Sequence, residues 1–164
     1  MLAQSTMKTP AGTLYLISRE HVLLAAGFRN FASLHERMDD TEFSLGLTDV
    51  KKIPVITDLI TDYFDGDLNA INGITVRQPG SEFLQSVWKS LRKVPAGKTW
   101  SYADLAKKIG SPAAVRAVGT ACGRNLVAPI IPCHRIVKSD GAIGNYGYGV
   151  ETKEFLLRHE GALE

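Results

Sequence analysis

The stretch IIPCHRIVKSDG sets a thiol, Cys133, directly beside an imidazole, His134, with the guanidinium of Arg135 next. A thiolate is the reactive form of cysteine, and a nearby imidazole or cation brings its pKa into the working range. Consecutive side chains point apart in a strand and diverge in a helix, so the pair cooperates only across a turn or through a bridging water. The competing reading is packing. Unpaired cysteine is among the most buried residue types, and His134 fits a hydrogen-bonded core site, Arg135 a surface cation and Glu160 a solvated helix end. Cys122 reads as packing too; eleven positions from Cys133, it does not suggest a redox pair unless the fold brings the two together.

Other chemistries find no support in the residues. Neither CxxC nor a Cys/His cluster at metal-ligand spacing occurs, so no structural disulfide and no metal are expected. The segment SDGAIGNYGYG has four glycines and two tyrosines but not the spacing of a phosphate-cradling loop or a dinucleotide fingerprint, and no cofactor is expected. It reads as a flexible loop or wing. With 164 residues, 45% of them hydrophobic and 22% charged, the chain suits one or two small globular domains with a real core. No apolar run reaches the roughly 18 residues of a membrane span, and MLAQSTMKTPAG lacks the basic start and apolar stretch of a leader, so a soluble intracellular protein is expected.

Charge is segregated. From Gln85 to Lys138 ten basic residues face the single acid Asp104, a net of +9, so the rest of the chain carries −7 of the total +2. Such a footprint attracts a polyanion without regard to sequence, although a solvated basic face has the same composition.

The elements that must position these residues fall into two halves. TLYLIS and HVLLAAGF, parted by Arg19-Glu20, read as a strand hairpin, FASLHERM as a short helix, Val55–Phe64 as a helix stopped by FDGD, and INGITV as a further strand. RQPGS is turn-rich and marks the division, with residues 1–79 as one domain and 80–164 as the next. Beyond it, Ser81 caps a helix with Phe83, Val87, Leu91 and Val94 on one face, ended by Pro95-Ala96-Gly97. Ser101 and Asp104 form a capping box for YADLAKKI, and Ser111 with Pro112 at the first helical position opens PAAVRAVGTACG. These two short helices read as a helix-turn-helix. The second is nearly smooth, which suits close approach to another surface or tight packing on a neighbouring helix. TKEFLLRHEG closes the chain as a helix with Phe155 and Leu156 inward and Gly161 as its cap.

IPCHRIV, preceded by RAVGTACGRN and followed by GNYGYG and LLRHEG, resembles the O6-alkylguanine-DNA alkyltransferase family in order and spacing over roughly residues 80 to 162. The resemblance implies an α+β fold: a small strand-rich, RNase H-like N-terminal domain, then a mainly helical, winged-helix-like DNA-binding domain. It implies that Cys133 accepts the alkyl group, that His134 takes its proton through a water, that Glu160 orients and charges His134, and that Asn125 ties the helix-turn-helix to the cysteine segment. Arg116 would enter the base stack where the damaged nucleotide leaves, and the smooth face of Ala114, Ala117, Gly119, Thr120 and Gly123 would lie in the minor groove. Tyr102 would displace a phosphate and hydrogen-bond the flipped base. Tyr146, Gly147, Tyr148, Ile136 and Gly144 would line the base pocket, the Gly147 amide facing the guanine O6 and the Cys133 and Ile136 carbonyls reading the exocyclic amine.

The implied function is DNA repair by direct reversal. An alkyl group would pass irreversibly from O6-alkylguanine, and from O4-alkylthymine, in double-stranded DNA to Cys133, one turnover per molecule, with no cofactor, no metal and no membrane. Extruding the nucleotide costs a few kcal/mol, which DNA contacts must offset. A monomer with scope for cooperative binding on DNA is implied, cytoplasmic in a bacterium or archaeon and nuclear in a eukaryote. The sequence departs from the family where Asn125 is followed by LVAP rather than Pro-x-Pro, and where Tyr148 replaces a usual glycine and narrows the pocket rim. Two other classes remain: a helix-turn-helix regulator with an idle Cys133, and a thiol hydrolase using Cys133 and His134 through an acyl intermediate.

Overall fold

Leu2–Thr9 is the first strand, β1, and turns back through Pro10 and Ala11 into β2, Gly12–Arg19. The computed structural model describes residues 2–44 and 46–164. Two compact units result, Met1–Gln78 with Leu126–Ile130, and Pro79–Asn125 with Ile131–Glu164. A single cut at residue 79 does not contain the five-residue excursion of the second half into the first unit.

In the first unit β2 pairs antiparallel with β3, Val22–Gly27, across a turn in which Glu20 takes a positive φ. The register shifts at Ile17/Ser18, a bulge that bends the strand. β4, Leu47–Asp49, adds parallel to β1, and β5, Thr75–Val76, adds parallel to β3, giving the order β4-β1-β2-β3-β5. Further along the same edge of β3, Ala26 donates to Leu126 and accepts from Ala128, while the Gln78 side chain receives the Leu126 amide. The excursion is therefore tied by backbone bonds. Helices α1, Phe31–Arg37, α2, Asp40–Phe43, and α3, Ile56–Phe64, complete this unit, and Leu34 of α1 joins Leu2, Ile17, Leu24, Ala25 and Leu126 in a buried cluster.

The expected hairpin and the helices at FASLHERM and Val55–Phe64 are present, but β1 and β4 were not anticipated. INGITV is not one strand: Ala70–Gly73 is a 3-10 turn and only Thr75–Val76 pairs.

The second unit is built from α4, Glu82–Leu91, α5, Tyr102–Lys108, α6, Val115–Gly123, and α7, Val150–His159. Between them β6, Trp100–Ser101, runs parallel to β7, Ile136–Val137, so the start of α5 lies beside the segment that follows Cys133. Ser81 caps α4 by accepting from the Leu84 amide, and the Ser101–Asp104 capping box opens α5 as expected. Trp88 of α4 is buried and donates its indole N–H to the Ala121 carbonyl of α6. α6 begins later than expected. Ala114 donates to Ser111, so Pro112 and Ala113 occupy the middle of a turn rather than the first helical turn. α4 ends at Leu91, ahead of Val94, because the residue before Pro95 is biased away from helical backbone. Among the described residues no helix is long and apolar enough to cross a membrane.

Candidate active site

Cys133–Arg135 form one 3-10 turn, held by the Arg135 amide on the Pro132 carbonyl and the Ile136 amide on the Cys133 carbonyl. Three residues per turn send the Cys133, His134 and Arg135 side chains in different directions. Cys133 stays partly exposed while His134 is 0% and Arg135 2% exposed. Asn125, buried just beyond α6, spans the two ends of the excursion: its Nδ2 donates to the Ile131 carbonyl at 2.8 Å and stands 3.4 Å from the Cys133 sulfur, where an N–H favours the thiolate.

Behind the turn lies Glu160, at the C-terminus of α7. His134 Nε2 is 3.0 Å from Glu160 Oε2, and Arg135 donates Nε to Oε1 at 2.9 Å and Nη2 to Oε2 at 2.8 Å, a bidentate pair, with Nη1 on the Val94 carbonyl at 2.7 Å. Burial works against the Glu160 charge, yet His134 and the Arg135 fork together hold its pKa below the usual carboxylate range. Burial also pushes His134 down, against the pull of Glu160. A neutral imidazole beside an ionised carboxylate must carry its proton on Nε2, the nitrogen facing Glu160. Nδ1 is then the basic nitrogen, and it has no hydrogen-bond partner among the described residues.

Tyr102, the first residue of α5, has its ring beside Gly119 of α6 and its hydroxyl close to Gly144: a Cβ placed on Gly119 would lie 3.9 Å from the ring, and one on Gly144 3.7 Å from the hydroxyl. Burial, then the nearby Cys122 and Cys133 thiols, raise its phenol to about 12, so it remains protonated at neutral pH. Burial likewise pushes Cys122 up, which makes it an inert packing thiol. Tyr146 meets His134 edge-on at 6.4 Å between ring centres and Tyr148 at 5.6 Å. A Cβ on Gly147 would touch nothing within 4 Å, so the backbone there is open to an incoming group.

The chain that carries this arrangement is similar to proteins of known description. Residues 82–162 match the family model described as 6-O-methylguanine DNA methyltransferase, DNA binding domain. The methylated-DNA–protein-cysteine methyltransferase of Salmonella typhimurium is 33% identical over 99% of this chain and 97% of its own length. The chain belongs to the methylated-DNA–protein-cysteine methyltransferase family. A crystal structure of Mycobacterium tuberculosis OGT in complex with DNA, 32% identical, superposes with a TM-score of 0.80 over 98% of this chain and 93% of that one. The bifunctional transcriptional activator/DNA repair enzyme Ada of Escherichia coli is 52% identical over 85 residues, 52% of this chain and 24% of its own. The α+β fold class and the resemblance read from IPCHRIV and its flanks agree with these relatives.

Within the methyltransferase frame the expected residues divide into two groups. Asn125 touches the Cys133 sulfur, His134 follows it in the same turn with Glu160 behind, Tyr102 lies beside Gly119 and Gly144, and Tyr146, Tyr148, Gly144, Gly147 and Ile136 are on the strand and loop that follow Cys133. Arg116, Ala117, Thr120 and Gly123 are instead on the exposed face of α6, where Ala114 and Gly119 are half-buried. Arg116 has no ion pair among the described residues, and the rest of that face is smooth. Lys107 and Lys108, with Asp104 and Trp100, line a shallow groove on α5, the Lys108 ammonium 5.5 Å from the Trp100 ring centre.

Two residues escaped the sequence reading. Arg135 is not a surface cation but the buried partner of Glu160, and it leaves the basic face one charge poorer. Lys153 is 0% exposed. It shares the buried stripe of α7 with Leu156, Leu157 and the Glu160 cap at i, i+3, i+4 and i+7, and that spacing was the signal available to find it.

Proposed function

We propose that this chain repairs DNA by moving the alkyl group of O6-alkylguanine, and of O4-alkylthymine, onto Cys133 in a single irreversible turnover. The observation that carries the reading is the Asn125 amide on the Cys133 sulfur, next to a buried His134 whose Nε2 is committed to Glu160 and whose Nδ1 is basic. Through a bridging water the thiol proton passes to Nδ1, and the imidazolium so formed sits between the thiolate and Glu160. Arg135 fixes the carboxylate, so Glu160 both orients His134 and stabilises its charged form. The sulfur attacks the alkyl carbon, a C–S bond replaces the C–O bond, and the electron pair leaves on guanine. Tyr102, protonated at neutral pH, donates to the departing base and regains a proton from solvent. The thioether has no group placed to cleave it.

An alkyl carbon inside a stacked duplex is out of reach, so the nucleotide must be extruded. Arg116 fills the vacated stack while the face of Ala114, Ala117, Gly119, Thr120 and Gly123 lies in the minor groove. Tyr146, Tyr148, Gly144, the Gly147 amide and the Ile136 and Cys133 carbonyls receive the base. Ile136 O already accepts one hydrogen bond from Lys153, and the second lone pair of a carbonyl remains for the exocyclic amine. Residues 80–164 act as the alkyltransferase domain, supported by residues 1–79, and one chain carries the complete set.

Mass spectrometry after incubation with a duplex containing O6-methylguanine tests the reading. One methyl group should appear on the peptide carrying Cys133 and vanish in Cys133→Ala. An unmodified wild-type protein that still binds the duplex would identify a regulator or damage sensor instead.

A further inference from the structure

Leu126 stands where the family pattern has a proline, so this chain carries there a backbone N–H that the pattern lacks. A buried N–H needs an acceptor. Leu126 is 5% exposed, and its amide donates to Oε1 of Gln78, itself 6% exposed, at 3.0 Å. One edge of β3 is shared by two stretches remote in sequence. β5 pairs with Val22 and Leu23, the Arg77 amide donates to the Leu23 carbonyl, and the excursion takes over at Ala26. Gln78 lies at the handover and binds the first residue of the incoming stretch. The N–H it holds belongs to the rigid peptide plane that joins Asn125 to Leu126. On its other side Asn125 donates its own amide to the Cys122 carbonyl at 3.2 Å. The Asn125 side chain is therefore aimed from both flanks, and what it meets is the Ile131 carbonyl at 2.8 Å and the Cys133 sulfur at 3.4 Å.

We propose that Gln78 is a positioning residue for alkyl transfer: by holding the peptide plane between Asn125 and Leu126 it keeps the Asn125 amide on the Cys133 sulfur. This rests on Cys133 being the acceptor. The two Ala26 bonds do not perform that task. They engage the Leu126 carbonyl and the Ala128 amide, which belong to the next two planes of the chain, and so they fix the excursion to the sheet without fixing Asn125. A proline at 126 would restrict Asn125 by a different route, because its ring crowds the backbone of the residue before it. In this chain the side-chain oxygen of Gln78 supplies the restraint that the ring would have supplied.

Iodoacetamide reads the aim of Asn125 without DNA. Its reaction with Cys133 forms a C–S bond, releases iodide and follows the thiolate fraction, which an N–H donor raises. Gln78→Met keeps the side-chain length and removes the acceptor. In that variant carbamidomethylation of Cys133, followed by peptide mass spectrometry, should slow about fivefold at neutral pH, with its pH profile displaced upward. Adding Leu126→Pro deletes the stranded N–H and restricts Asn125 again, so the rate should return to within about twofold of wild type. A wild-type profile in Gln78→Met overturns the assignment, and so does a double variant with unchanged circular dichroism that stays as slow as the single one. The wild-type protein provides a test that needs no variant. Coupling is reciprocal, so hydrogen exchange at the Leu126 amide, followed by NMR, should quicken once Cys133 is carbamidomethylated, and an unchanged rate also overturns the assignment. If wild-type protein takes no methyl from DNA yet these changes occur, the repair function falls and the positioning assignment stands.

Discussion

Glu160 receives two hydrogen bonds from the Arg135 fork and one from His134, so its charge is satisfied before any proton leaves Cys133. Arg135→Lys keeps the charge but not the fork, and it strands the Val94 carbonyl as well. The variant should lose about 3 kcal/mol of stability, read by urea unfolding. A loss below the ordinary surface range of about 0.5 kcal/mol would mean the pair is not structural. The pH response has a definite sign. His134 has a folded pKa below its ordinary 6.5, and Glu160 is also held low, so on the acid side the unfolded chain binds more protons. Stability from both groups is present near neutrality and is lost as pH falls through their folded values. The same neutral imidazole is the base for the thiol. Single-turnover methyl transfer, followed by quenched flow, should therefore keep His134 active down to about pH 6.5 and show its acid limb below that. A limb displaced above 6.5 would contradict a neutral His134. Of these residues, IPCHRIV exposed Cys133 and His134, but Arg135 could not be assigned, because only the return of α7 reveals a buried carboxylate opposite it.

The turn Pro95–Gly97 and the end of α7 meet at a single close approach. Gly97 takes φ +87, and a Cβ on it would stand 3.0 Å from the Glu160 carbonyl oxygen. Gly97→Ala should cost about 1–3 kcal/mol through backbone strain and displace Glu160, so that thermal stability and methyl transfer fall together. An unaltered melting temperature would show that the turn can shift without moving α7. On α6 the effects should separate. Arg116 is exposed and away from the hydrogen bonds around Cys133, so Arg116→Ala should weaken repair of duplex DNA while largely preserving reaction with the free base; equal loss on both substrates would exclude a role in the stack. Elements with strong local signals were legible from the sequence: the β2–β3 hairpin from its branched runs, α4 from Ser81 and its apolar face, α5 from the Ser101–Asp104 box. The start of α6 was not, since Ser-Pro serves a β-turn as well as a helix N-terminus. β1 was hidden for another reason. Its residues Gln4, Ser5, Thr6 and Lys8 break any apolar alternation, and Leu2–Thr9 becomes a strand because β2 and β4 pair with it on both sides.

At the scale of the whole chain the total of +2 conceals two very different units. Residues of the first carry seven Lys and Arg against ten Asp and Glu, a net of −3, and residues of the second carry twelve against seven, a net of +5. Arg135 and Lys153 are buried in the second unit, so its exposed surface relies on Lys89, Lys93, Lys98, Lys107, Lys108, Arg116, Arg124, Lys138 and Arg158, the last of these paired with Glu154. The Gln85–Lys138 count anticipated this basic surface, though not that Arg135 is withdrawn from it. If about four of those side chains neutralise phosphates, counterion release sets the logarithmic slope of affinity against salt near −3.6, and raising salt from about 50 to 200 mM should weaken duplex binding by about 10²-fold. Transfer from the free base, which needs no phosphate contact, should change little over the same range. Fluorescence anisotropy on undamaged duplex gives the slope, and mass spectrometry on the free base gives the control. A slope near zero would mean that the basic surface does not meet the DNA backbone. A strong salt effect on the free-base reaction as well would place the salt-sensitive charge at the sulfur rather than on that surface.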